Sequence, residues 1–189
     1  MLLTGGESRR MGRDKLALRV GGVPLVRRVH DVLASRCEEV VAVGVADVPE
    51  LGDVRCIPDL RPGGGPLAGI EAGLEATRHP LVFVAAGDMP FLSGELVGFL
   101  LDRISEGSAA VPVHGGRPHP LCAAYNRSAL PVVSSALDEG IRAVRTLLEI
   151  LGDVEYVDEE LWRFGDPDLF LMNVNSPEDL DRARNGMAR

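Results

Sequence analysis

Along the first hundred residues, apolar runs of strand length alternate with stretches of helical spacing, and each apolar run stops at glycine or aspartate. Leu2-Leu3 ends at Gly5-Gly6, Val54 to Ile57 ends at Pro58-Asp59, and Leu81 to Ala86 ends at Gly87-Asp88. Val40 to Val43 is likewise continuous. A run with no polar face belongs to a strand covered on both sides. Between these runs, Pro24 to Cys37 carries Leu25, Val29, Val32 and Leu33 at helical spacing, with Pro24 suited to the first turn. Leu67 to Ala76 reads as an apolar helix, and Ser93 caps another that runs to about Ile104. This order predicts an α/β fold with a mostly parallel sheet and helices on both faces. Ligands in such sheets sit beyond the carboxyl ends of the strands. The loops at Gly5, Asp59 and Asp88 each follow an apolar strand directly, so they are expected to meet at one edge.

The pattern changes beyond residue 108. Ala109 to Val113 and Pro120 to Tyr125 read as strands around the polar turn Gly115-Gly116-Arg117. Arg142 to Leu151 is predicted to be a helix, Val154 to Val157 a strand and Phe170 to Val174 a last strand. A C-terminal helix starts after Ser176, with Pro177 in its first turn and Glu178 and Asp179 facing its positive end. No repeat, low-complexity tract or long linker divides the 189 residues, which predicts a single domain.

The glycine turn near the start is strongly basic. Arg9, Arg10, Arg13 and Lys15 follow Gly5, Gly6 and Ser8, in a chain whose net charge is -8. Glycines let backbone amides approach a ligand closely, and with fixed positive charge they suit a triphosphate. Neither the GxxxxGK[ST] nor the GxGxxG spacing is present. A surface turn with solvated bases is the plainer alternative. Asp88, rigidly placed before Met89-Pro90, suits a magnesium ion shared with phosphate oxygens and water, or else a turn or helix cap. Asp59, in the segment that carries Gly63-Gly64-Gly65, suits a ribose or base, or a turn. Gly69 lies inside a predicted helix, where glycine costs about 1 kcal/mol relative to alanine, which points to a packing or ligand requirement. His119 stands between Pro118 and Pro120 as a ligand contact or a structural histidine. Asn175 precedes a helix start, where a turn or cap role is equally open. His30, His79 and His114 have no metal-binding spacing, and Ser8 has no paired His and Asp to make it a nucleophile.

Three cysteines without CxxC spacing fit neither a zinc site nor a disulfide framework, as in a reducing compartment. The acidic balance argues against nucleic acid or an anionic membrane as main partner. The apolar start is too short for a signal peptide, and no apolar run approaches spanning length. A soluble, cytoplasmic protein is the expectation.

Taken in order, these segments resemble the molybdenum cofactor guanylyltransferases. The family pattern LAGGxSxRMGxDK is met by Leu3-Thr4-Gly5-Gly6 through Arg10-Met11-Gly12 and Asp14-Lys15, followed by Pro24-Leu25 and Gly65-Pro66-Leu67-Ala68-Gly69. Gly87-Asp88-Met89-Pro90-Phe91, His119-Pro120-Leu121 and Asn173-Val174-Asn175-Ser176-Pro177-Glu178-Asp179-Leu180 complete it, so the matches run from residue 3 to 180. The resemblance implies a three-layer, Rossmann-like nucleotidyltransferase fold. Residues 1-107 would form a nucleotide-binding part and 108-189 an acceptor-binding part. Leu3, Thr4, Gly5, Gly6, Ser8 and Gly65 would lie along the nucleotide, with Arg10 and Lys15 on its phosphates and Asp59 on the guanosine part. Asp88 would bind nucleotide and Mg²⁺, with Asn175 near the metal or the pterin phosphate. His119, Asn173 and Asn175 would face the acceptor, and Arg10, Lys15 and Asp88 would carry catalysis.

The implied reaction moves GMP from GTP to the phosphate of molybdopterin, with transient contact to other cofactor-maturation proteins. Guanine is favoured because Thr-Gly-Gly stands where the related cytidylyltransferases resemble Leu-Ala-Ala-Gly, and the missing side chain at Gly5 leaves room for a larger base. Two departures stand out: Thr4 replaces the usual Ala, and Val43-Gly44-Val45 stands where many members carry an Asn. The alternatives are a CTP-dependent or other small nucleotidyltransferase, and a non-catalytic nucleotide-binding regulator.

Overall fold

The computed structural model of the protein describes residues 1-5, 15-44, 48-61, 63-104 and 108-187. Its main sheet is built from β1 (Leu2–Leu3), β4 (Ala42–Val43), β5 (Cys56–Ile57), β6 (Leu81–Ala86), β7 (Ala109–His114), β8 (Arg117–Pro118), β9 (Cys122–Asn126) and β10 (Val154–Val157). The order across it is β10-β7-β9-β6-β1-β4-β5, with β8 paired to β7. The pairs β1-β4, β1-β6, β4-β5 and β10-β7 are parallel, while β9 runs antiparallel to both β6 and β7. A separate hairpin joins β2 (Arg19–Val20) to β3 (Val23–Pro24). The helices are α1 (Leu25–Ala34), α2 (Gly65–Ala76), α3 (Gly94–Arg103), α4 (Leu130–Asp138), α5 (Val144–Leu151), α6 (Pro167–Phe170) and α7 (Pro177–Gly186).

Three layers follow from strands that are apolar on both sides. Along β6, Val82 and Val84 join one buried cluster with Leu67 and Ile70 of α2 and Leu137 of α4. Phe83 and Ala85 point the other way and pack with Val29 of α1 and Leu96 and Leu100 of α3. A strand period of two thus divides one sequence run between two cores. A smaller cluster, with Val20, Leu25 and Val174, seats α7 through Leu180 and Ala183. Among the described residues, no helix is long and apolar enough to cross a membrane.

The mostly parallel sheet with helices on both faces is present as the sequence predicts. Strands 81-86 and 154-157 have the predicted bounds. The runs at 40-43 and 54-57 pair only over their last two residues. Pro24 serves as the last paired residue of β3 and the cap of α1, not as part of the helix. Ser93 caps α3 by accepting from the Leu96 amide, and Ser176 and Asp179 form a reciprocal capping box on α7. The polar turn at 115-116 closes the β7-β8 hairpin.

One expectation fails: residues 170-174 are not a strand. Asp166 accepts from the Asp168 amide and starts the short helix α6, and the chain then runs irregularly past the end of β6. There the Val174 amide donates to the Asp88 carbonyl at 3.0 Å, a single bond at a strand end and not a ladder. Helix α4 and the β2-β3 hairpin have no counterpart in the sequence reading.

Candidate active site

Parallel strands end on the same side, and the loops after β1, β4, β5 and β6 surround a cavity of about 780 Å³. Glycines make that convergence possible. The Gly44 backbone has φ +117°, and a Cβ there would stand 2.4 Å from the Gly5 nitrogen, so the ends of β1 and β4 touch main chain to main chain. A Cβ on Gly5 would meet Gly44 Cα at 3.2 Å and Asp59 Oδ2 at 3.5 Å. The missing side chain therefore seats the β1 loop against the β4 loop and clears the approach to Asp59. Gly69 serves the same junction from α2: a Cβ there would press on Leu3 Cδ2 at 3.0 Å and stand 3.5 Å from Asp59 Oδ1. That is the packing requirement its position in a helix implies.

Two carboxylates line the cavity. Asp88 follows β6, is 7% exposed, and is gripped on both oxygens. Asn173 Nδ2 donates to Oδ1 at 2.9 Å, and the Lys15 ammonium sits against Oδ2. The same ammonium donates to Asn175 Oδ1 at 2.7 Å. Asn175 is fixed in turn, because its amide and that of Ser176 both donate to Asp179 Oδ2 at 3.0 Å. The helix cap of α7 thereby aims Asn175 into the site. Asp59 follows β5 and differs: among the described residues no donor reaches its carboxylate, and burial pushes its pKa up.

Beside this space lies a second cavity of about 380 Å³, shared at Pro66, Leu121 and Asn173. His119, Arg142 and Arg145 line it. The His119 main chain is tied down: its amide donates to the Pro112 carbonyl, and its carbonyl accepts from the Cys122 amide. Burial first, then the positive surroundings of His114, Arg145 and Arg117, hold the imidazole pKa below its ordinary value, so the ring is neutral at neutral pH.

The structure brings Leu3, Gly5, Lys15, Asp59, Gly65, Asp88, Asn173 and Asn175 onto the main cavity. Thr4 does not join them. Its amide and hydroxyl both donate to the Val43 carbonyl, at 2.8 and 3.0 Å, and its side chain is buried. Gly6, Ser8 and Arg10, together with Val45, lie outside the described residues. Arg142 and Arg145 were not singled out from sequence. Exposed arginines at a helix start carry no spacing signal, and only the fold sets them opposite His119.

Asp88 Oδ2 and Asn175 Oδ1 converge on one cation, the Lys15 ammonium. One carboxylate with one amide oxygen is a hard, incomplete donor set, as suits an ion whose other ligands are phosphate oxygens and water. No cluster of three His, Cys, Asp or Glu is present among the described residues.

A parallel sheet with glycine loops and a carboxylate at its carboxyl edge defines a nucleotide-handling α/β protein. Comparison with known proteins narrows the class. Residues 1–155 match the MobA-like NTP transferase domain family. The chain is 38% identical over 189 residues to a probable molybdenum cofactor guanylyltransferase of Pelotomaculum thermopropionicum, covering 97% of this chain and 90% of that protein. It is 34% identical to a molybdenum cofactor guanylyltransferase of Desulfosudis oleivorans, covering 97% and 92%. The molybdopterin-guanine dinucleotide biosynthesis protein A of Archaeoglobus fulgidus superposes with a TM-score of 0.83 at 32% identity, covering 99% and 97%. A cytidylyltransferase of Thermus thermophilus acting on 2-C-methyl-D-erythritol 4-phosphate shares the fold, with a TM-score of 0.72 at 23% identity. The chain belongs to the MobA-like NTP transferase family, and it is a nucleotidyltransferase enzyme.

Proposed function

We propose that this enzyme transfers GMP from GTP to the phosphate of molybdopterin, giving the guanine dinucleotide form of the cofactor and pyrophosphate. One observation carries the reading. Asp88, Lys15, Asn173 and Asn175 form a single bonded cluster where the two cavities join, and Asn173 lines both. The nucleotide is assigned to the larger cavity, lined mainly by residues of 1-107 with Leu121, Asn173 and Asn175, and the acceptor to the smaller one, whose polar groups come from 108-189. The kinship with named guanylyltransferases supports guanine as the base.

The chemistry follows from these residues. A phosphate monoester is already ionised near neutral pH, so the acceptor needs no strong general base, and the enzyme's work is alignment and charge compensation. Asp88 and Asn175 are the residues that would hold Mg²⁺, which when bound supplies positive charge at the reacting α-phosphate. Lys15 bridges those two oxygens and is drawn to the phosphates when GTP enters, with Arg10 assigned beside it. Among the described residues no donor reaches Asp59, so its carboxylate is available to accept hydrogen bonds from guanosine. Neutral His119 with Arg142 and Arg145 offers a polar, cationic wall to an anionic acceptor. The setting we assign is the cytoplasm, in keeping with three free cysteines. Handover of the product to other cofactor-maturation proteins completes this reading.

The test is pyrophosphate release by purified protein with Mg²⁺ and molybdopterin, with GTP and CTP in parallel. Turnover with GTP well above that with CTP is expected. Preference for CTP makes the enzyme a cytidylyltransferase, and binding without turnover with either nucleotide ends the catalytic proposal.

A further inference from the structure

The segment between β5 and α2 changes direction residue by residue. Asp59 faces the nucleotide cavity, Leu60 is 52% exposed, and Arg61 turns back over α2. The Arg61 guanidinium is held at three points. Nε donates to Glu71 Oε2 at 2.8 Å, Nη2 to Glu71 Oε1 at 2.9 Å, and Nη1 to Asp138 Oδ1 at 2.5 Å. Glu71 lies on α2 with its side chain 5% exposed, and Asp138 closes α4. Its hydrogen bonds to Asp138 and Glu71 raise the guanidinium pKa above its ordinary value, so this cation is permanent.

Stability alone gives little reason for a charge at this place. Ile70, Ala72 and Leu74, the neighbours of Glu71 on α2, are buried and apolar, and α2 and α4 share an apolar core through Leu67 and Leu137. Glu71 is buried while Arg61 is 35% exposed, and burying a carboxylate against such a partner is commonly no more stabilising than apolar residues of similar volume. What the pair supplies is a fixed direction, because a fork on a carboxylate tolerates one geometry.

The chain it directs is rich in glycine. Gly63 and Gly65 adopt φ of +79° and +66°, in the left-handed region that glycine enters freely, and no described side chain other than that of Arg61 ties residues 59-65 to α4. Arg61 also locates this turn through its main chain, since its carbonyl accepts from the Gly64 amide at 2.9 Å.

We propose that Arg61 and Glu71 form a positioning clamp for the nucleotide, which holds Asp59 and the glycine turn against the cavity before GTP arrives. The proposal rests on the reading that Asp59 and Gly65 meet the nucleotide. Ordering this segment on binding would subtract from affinity, and the clamp removes that loss by ordering it in advance. It acts on ground-state nucleotide binding and leaves the reacting phosphate to Asp88 and Lys15.

The experiment is the double variant Arg61→Leu/Glu71→Leu, which removes both charges and keeps the space filled. It is expected to melt at or near the wild-type temperature. GTP affinity by titration calorimetry falls about tenfold and the KM for GTP rises to match, while kcat at saturation stays within about twofold. Arg61→Lys, with one donor left on Glu71, falls between. If the double variant does not fold, Glu71→Gln, which keeps shape and one acceptor, carries the same comparison with a smaller loss. Wild-type GTP affinity in the folded variant, beside an impaired Asp59→Asn protein, overturns the clamp and leaves the nucleotide reading intact. Full GTP affinity in Asp59→Asn removes the nucleotide from this segment, and the clamp proposal falls with it.

Discussion

The two carboxylates of the larger cavity follow β6 and β5 of one sheet, with β1 and β4 between them, yet the protein treats them in opposite ways. Asp88 is gripped on both oxygens, by Asn173 and Lys15, and its backbone carbonyl accepts from Val174. Asp59 is held only by its chain, receives no described donor, and is made harder to ionise by burial. A partnered carboxylate in a buried site is set in one orientation, as the handling of a cation demands. A carboxylate with no described donor keeps its oxygens open to the cavity, where a ligand donor takes the place of water. On the function proposed above, the contrast assigns Asp88 to the reaction and Asp59 to recognition.

Breaking the gripped carboxylate gives the largest effect. Asp88→Ala is expected to lower kcat about a thousandfold, the scale seen when a preorganised electrostatic group is removed. Its melting temperature stays near wild type, because the bond from Val174 is to the main chain. Steady-state pyrophosphate release and a melting curve check this, and an active alanine variant removes Asp88 from the chemistry.

Asp59→Asn tests the other side, with about a tenfold rise in the KM for GTP and kcat largely kept. Its stability should move the opposite way. A carboxyl whose folded pKa is raised costs the fold stability while it is ionised, and that penalty disappears as pH falls through the raised pKa toward the unfolded value. The asparagine variant should therefore melt above wild type at neutral pH and lose this advantage in acid. Thermal denaturation across pH reads it, and a variant less stable than wild type at pH 7 contradicts the raised pKa of Asp59.

Lys15→Met sharpens the comparison by giving Asp88 an open oxygen. Without nucleotide, manganese as a spectroscopic stand-in for magnesium should bind about fivefold more tightly to this variant, since a competing cation is gone. Unchanged manganese affinity shows that Lys15 does not compete for those oxygens. The smallest effect concerns the acceptor wall. His119 should titrate below its ordinary value of 6.5 by NMR. Its lowered folded pKa means that its contribution to stability is intact above 6.5 and is lost as pH falls through the folded value. A measured pKa above 6.5 contradicts its burial among positive neighbours.

Much of this arrangement is legible in the chain before it folds, and the reasons are local. Val82 to Ala86 has no polar face, so it is a covered strand, and its closing Gly87-Asp88 must lie at the carboxyl edge. Ser93 and Ser176 announce helix starts through side-chain acceptors that need only the next three amides. Helix α4 escapes notice because Leu130-Pro131-Val132-Val133 reads as well for a strand until packing against α2 decides it. The segment at 170-174 misleads for a related reason: its apolar residues are buried, but by α1, α3 and α7 and not within a ladder. Thr4 looks like a nucleotide contact by its place in the glycine motif, and a single bond to the Val43 carbonyl redirects it.

By itself the sequence determined the layered α/β architecture and the edge where chemistry is done, because strand period, glycine turns and caps act over a few residues at a time. It also contained the two aspartates, though not their difference. Only the tertiary structure decided that Asn173 and Lys15 close on one carboxylate and leave the other without a described partner. It alone set Arg61 on Glu71 and placed Arg142 opposite His119. Each of those meetings joins residues far apart in the chain. Their geometry is fixed by how three layers pack, and no pattern of neighbouring residues encodes it.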